Sequence, residues 1–142
     1  MEIRNATLED AAAVAELAGQ LGYPAASDAI ANRLNMLQKS DQHAVFVCCN
    51  SAGAVTGWLH VFIAYRLESD PFAEIGGFVV SEKYRGSGSG KQLLTAAEKW
   101  ARDRGMARIR IRSRTTRPVS HSIFIHLGFA RTKEQAVFDK QL

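Results

Sequence analysis

The chain has 142 residues, 46% of them apolar and 23% charged, with a formal net charge of +4. That is enough for one domain with a continuous core, and it excludes a stapled mini-protein or a disordered segment. No apolar run reaches the roughly 18 residues of a membrane helix, and Met1-Glu2-Ile3-Arg4-Asn5 lacks the basic start of a signal peptide. A cytoplasmic single domain over residues 1–142, without a membrane partner, is the expectation.

Thr7 and Asp10 form an approximate capping box before a helix whose inner face carries Val14, Leu17, Ala18 and Leu21. Gly22, Tyr23 and Pro24 end it. A second helix after Ser27 buries Ile30, Leu34 and Leu37. Ala44 to Cys49 is apolar throughout, as in a strand covered on both faces, and Asn50 to Gly53 turns into an alternating strand over Ala54 to Arg66. Cys48 and Cys49 are adjacent and offer no ligand spacing, so they read as small buried hydrophobes and no metal is expected.

Phe72 to Val80 is a third strand with Gly76 and Gly77 inside it, a weakening that only a bulge or a close backbone approach explains. Tyr84 to Lys91 then leads into a helix with Leu93, Ala97, Trp100 and Ala101 facing inward, stopped at Gly105. Ala107 to Arg112 is a further strand, Pro118 to Leu127 a short helix, and Phe129 to Phe138 a closing strand or hairpin. The order βααβββαβαβ(β) predicts an α/β (α+β) fold: a mixed sheet with helices on its faces.

The segment Arg85-Gly86-Ser87-Gly88-Ser89-Gly90-Lys91 carries the chemistry. Glycines at every second position, between a strand and a helix, let a bulky anion rest on bare backbone at a positive helix end. With Arg85 and Lys91 flanking, a diphosphate is the natural guest. The spacing is neither that of a P-loop, which needs four residues between its glycine and Gly-Lys, nor that of a dinucleotide fingerprint.

Val79-Val80-Ser81-Glu82-Lys83-Tyr84-Arg85-Gly86-Ser87-Gly88-Ser89-Gly90 resembles the acetyl-CoA motif of the GNAT N-acetyltransferase superfamily. Downstream, Arg112-Ser113, Arg117, His121 and Leu127-Gly128-Phe129 match the spacing of its second conserved region, and the element order is also similar. The resemblance implies a mixed, mostly antiparallel sheet with helices on both faces. It implies that the amides of Arg85 to Lys91 hold the pyrophosphate of acetyl-CoA, while Phe78, Val79 and Val80 run beside the pantetheine arm. A homodimer is common in such families. The superfamily's signature often has a tyrosine four residues before the Gly-Phe pair, as donor to the leaving thiolate; here that residue is Phe124.

Acetyl transfer needs a neutral amine, a polarised carbonyl and a leaving thiolate. An alkylamine has a solution pKa of about 10.4, so a base must take its proton. Glu74, on the strand entering the motif among Phe72, Ala73 and Ile75, is the candidate base, where burial would raise its basicity. A strand amide near Phe78 or Val79 would polarise the carbonyl. Tyr84, His121 or a water would replace the missing tyrosine as acid. Glu68, Asp70 and Glu74 form a small acidic group that would attract a cationic amine, and Trp58, His60, Phe62 and Tyr23 are candidate pocket walls.

Arg102, Arg104, Arg108, Arg110, Arg112, Arg114 and Arg117 crowd together with only Asp103 opposing them, which suggests an anionic partner. A solvated strand face ranks first, contact with the CoA 3′-phosphate second and nucleic acid third, since no stacking platform interleaves the arginines. The expectation is an acetyl-CoA-dependent N-acetyltransferase without a nucleic-acid partner. A CoA-binding sensor and a nucleic-acid-binding protein are its rivals.

Overall fold

The computed structural model describes residues 1–116 and 118–142, in two compact units, 1–111 and 112–142. Arg117, part of the predicted arginine cluster and of the second motif region, lies outside the described residues.

The first unit is a five-stranded sheet in sequential order: β1 (Glu2–Asn5), β2 (His43–Cys49), β3 (Val55–Ala64), β4 (Phe72–Val80) and β5 (Ile109–Ile111). The first four pair antiparallel; β5 runs parallel to β4. Helices α1 (Ala11–Gln20) and α2 (Ser27–Gln38) cover one face, where Val14, Ala15, Ile30 and Leu34 pack with Val47, Cys49 and Trp58. Helix α3 (Ser89–Asp103) lies on the other face. There Leu93 reaches Gly57, and Gly90 abuts Phe78 and Val80. The mixed, mostly antiparallel sheet with helices on both faces is therefore as expected.

Local departures have local causes. Thr7 starts a 3-10 turn, Leu8–Asp10, and α1 follows from Ala11. Strand β2 is buried only over Val47–Cys49, so its apolar first half is half covered. Helix α3 begins at Ser89, which places Ser89, Gly90 and Lys91 in its first turn rather than before it. Both cysteines are buried and free.

In the second unit, α4 (Pro118–His126) ends on a turn in which Phe129 N–H donates to the Phe124 carbonyl and Gly128 takes a positive φ of 96°. The predicted closing strand over Phe129 to Phe138 is absent: among the described residues no strand follows β5. A strand persists only where a neighbour accepts its backbone bonds, and Val137 and Phe138 stand exposed.

The buried Asp10 carboxylate ties β1 to α1. Arg4 donates to both of its oxygens, at 2.8 and 2.9 Å, and Thr7 N–H donates at 2.7 Å. Arg4 is the main cause holding this carboxyl below the usual range. Asp10→Asn should cost on the order of 2 kcal/mol, since it leaves a charged donor without its fork partner. A lowered folded pKa contributes stability above the unfolded value of about 3.9 and loses it as pH falls below that. The gap between the urea midpoints of parent and variant should therefore be full at pH 7 and narrow as pH falls below about 3.9.

Candidate functional site

The site is organised along β4. Alternation puts Phe72 and Glu74 on one face, and the register runs His43, Phe62, Glu74, Arg110 across four neighbouring strands. An imidazole, a phenyl ring, a carboxylate and a guanidinium thus share one row. Glu74 is buried, at 8% exposure, although the row lies toward the edge of the face that α1 and α2 cover. Glu68 and Asp70 sit exposed in the preceding loop.

The glycine pair is a bulge. His60 pairs with Gly77 and Val61 with Ile75, so Gly76 is the extra residue. The bare backbone lets aromatic rings lie flat on the strand: a Cβ at Gly76 would stand 2.8 Å from His60 Nδ1, and one at Gly77 would stand 2.7 Å from the Trp58 ring. The Trp58 indole N–H is buried and has no hydrogen-bond partner among the described residues.

His43 and His60, which sequence reasoning did not pair, stack with ring centroids 5.2 Å apart and join Nδ1 to Nε2 at 3.0 Å. Phe62 stacks on His43 at 5.5 Å. Burial, with a smaller push from His43, lowers the His60 pKa to about 4. This imidazole therefore stays neutral at physiological pH.

Strand β5 pairs only with Ala73–Ile75, leaving Gly76–Val80 without a strand neighbour on that side among the described residues. Phe78 and Val80 point to α3, and Val79 to the opposite face.

Beyond Val80 the chain turns through Glu82–Tyr84 into the glycine loop. Gly86 and Gly88 hold φ of 81° and 90°, which side chains rarely tolerate, with open space where a Cβ would stand. The N–H groups of Gly86, Gly88, Gly90 and Lys91 have no partner among the described residues. Ser87 and Ser89 hydroxyls bond each other at 2.8 Å and brace the turn. Four unpaired donors at and just before the N-terminus of a 15-residue helix, between Arg85 and Lys91, make this loop the candidate anion cradle.

Tyr84 sits apart from Glu74. The Tyr84 hydroxyl accepts from Asn50 at 3.1 Å, past the Val80 end of β4, while Glu74 is near the opposite end, roughly 20 Å of strand away. In the second unit His121 bonds the Arg114 carbonyl through Nε2 at 2.8 Å, and Phe124 meets Phe129 edge-on at 6.0 Å. Several arginines have local partners: Arg102 pairs with Glu98 at 3.6 Å, Arg104 stacks on Trp100 at 4.2 Å, and Arg112 donates to Gln135 at 2.9 Å.

The model of the acetyltransferase (GNAT) family matches residues 11–129. The chain belongs to this family. It is 33% identical over 141 residues to an aminoglycoside N(6′)-acetyltransferase type 1 from Stenotrophomonas maltophilia, covering 96% of this chain and 90% of that one. Its fold matches an aminoglycoside 6′-N-acetyltransferase from Acinetobacter baumannii with a TM-score of 0.86 at 20% identity, covering 99% and 98% of the two chains. It also matches a structure holding the bisubstrate analogue CoA-S-monomethyl-acetylneamine, with a TM-score of 0.85 at 22% identity and the same coverage. As an acetyltransferase it needs an acyl donor and an acceptor.

The low pKa of His60 sets a sign for stability. Between about 6.5 and 4 the unfolded chain binds a proton that the folded chain refuses, so stability falls as pH drops through that window. Urea midpoints at pH 7 and pH 5 should differ less in His60→Phe than in the parent, and an equal difference would contradict the buried neutral imidazole.

Proposed function

We propose that the protein transfers the acetyl group of acetyl-CoA to a primary amine of a small molecule, by direct attack within a ternary complex. The observation that carries this reading is the set of unpaired amides at Gly86, Gly88, Gly90 and Lys91, joined by the half-paired strand to the buried Glu74. The residues fit a diphosphate: donors converge, glycines leave room, and both flanks are basic.

In the proposed reaction Gly86 to Lys91 grip the diphosphate, and the extended arm of the donor follows Phe78, Val79 and Val80 along the free side of β4. A backbone amide at Phe78 or Val79 polarises the thioester carbonyl. Glu74 accepts the ammonium proton, directly or through water, and the freed amine nitrogen attacks the carbonyl carbon. The N–C bond forms, the C–S bond breaks, and CoA leaves as a thiolate. A free thiol has a pKa of about 8.5, so departure needs little help, and the phenylalanine at position 124 does not stop the reaction. The Tyr84 hydroxyl, which accepts from Asn50 past the Val80 end, also braces the turn into the cradle.

A second reading takes the acceptor to be an aminoglycoside. Its support is the 33% identical relative, whose name specifies that substrate.

Two variants test the two ends separately. Gly88→Val puts a β-branched residue at a φ of 90° and fills the cradle, so CoA affinity should fall at least about 100-fold by calorimetry while the circular dichroism spectrum persists. Unchanged affinity would contradict the cradle. Glu74→Gln should lower kcat on the order of 100-fold at pH 7, measured as thiol release, and leave the Kd for CoA within about two-fold. A variant as active as the parent would remove Glu74 from the reaction.

A further inference from the structure

We propose that Arg66, Arg108 and Arg110 form an anion subsite on the acceptor side of the sheet, so that the molecule acetylated carries a carboxylate or phosphate close to its amine. The inference rests on the N-acetyltransferase reading above and narrows its acceptor.

The three guanidinium carbons lie 5.9, 4.4 and 4.5 Å from the centroid of one ring, that of Phe72. They are therefore within about 10 Å of one another, one Debye length at ordinary ionic strength. Among the described residues none of the three side chains has an ion pair or donates a hydrogen bond. Arg4, Arg102 and Arg131 show the contrast, because each faces a carboxylate, on Asp10, Glu98 and Glu134.

Phe72 itself is 1% exposed, and arginine stems shield it. Covering a phenyl ring calls for two such lids at most, one on each face. A third guanidinium adds repulsion without adding burial, and at exposed sites stacking on the ring returns little. A planar, forked donor matches carboxylate and phosphate oxygens two at a time, so a bound anion resolves the repulsion and employs the idle N–H groups.

Position assigns the subsite to the acceptor. Phe72 is two residues from Glu74 on the same face, roughly 7 Å away, and Arg110 is the register partner of Glu74 on β5. Val80 lies eight residues from Phe72 along the strand, past Glu74, with the glycine loop beyond it, so the subsite does not serve the diphosphate cradle. An ammonium at Glu74 and an anion at the arginines would fix both ends of one small zwitterionic acceptor.

The test compares ω-amino carboxylates, from β-alanine to 6-aminohexanoate, with α,ω-diamines of matching length and with neamine, using the full chain and acetyl-CoA. At the best length the carboxylate should show a KM at least about ten-fold below that of the diamine. Arg108→Leu and Arg110→Leu should erase that preference with CoA affinity retained. Arg110→Lys, which keeps charge and loses the fork, should fall between parent and Leu variant. Diamines or neamine preferred by the parent, or a preference that survives in the variants, would overturn the proposal.

Inorganic phosphate titrated calorimetrically into the protein–CoA complex gives an independent reading. It should bind the parent and bind Arg110→Lys several-fold more weakly, and absence of binding would overturn the subsite. If CoA binds and no amine is acetylated, the catalytic reading fails, and this titration still judges the arginines.

Discussion

Strand β4 is paired with β3 along its whole length but with β5 only as far as Ile75, and the working parts of the first unit follow from that half-paired strand. Backbone polar groups must find partners or water. Where β5 departs, Gly76 to Val80 present main-chain groups to whatever lies alongside, and the bulge at Gly76 turns the strand there. The strand is at once a core element, through Ala73, Ile75 and Val79, and an open edge.

Its two ends meet opposite demands. In the proposed reaction the glycine loop holds a multiply charged anion with main-chain dipoles, which bring no side-chain entropy cost and leave room for bulk. The acceptor end, in that reading, works with side chains on one sheet face: a buried carboxylate, an imidazole pair and a group of guanidiniums. A neutral His60 suits that place, because a cationic imidazole beside an arriving ammonium would repel it.

The cradle was legible in the sequence because its chemistry is local: glycine spacing, flanking cations and the helix that follows are all contiguous. Glu74 was legible as an acid in an apolar strand. The histidine pair was not, and the reason is register. The Asn50 to Gly53 turn, continued without interruption, would set His43 opposite Val61, on the other face from His60. An irregularity at Cys48/Cys49 shifts the ladder by one residue, so that His43 meets Phe62 and joins His60. No residue type announces that shift. The convergence of Arg66, Arg108 and Arg110 on Phe72 was hidden for a similar reason, since it depends on the parallel pairing of β5 with β4, 36 positions apart at Ala73 and Ile109. The apolar ends of the Phe129 to Phe138 segment were misleading, because apolar residues at a segment's ends say nothing of whether a sheet edge awaits it.

Backbone amide NMR of the full chain, titrated with acetyl-CoA, tests the central claim most directly. The account predicts that the resonances of Gly86, Gly88, Gly90 and Lys91 move furthest and saturate together with those of Gly76 to Val80, while those of β1 stay in place. Saturable binding that leaves the four loop amides unmoved would contradict it.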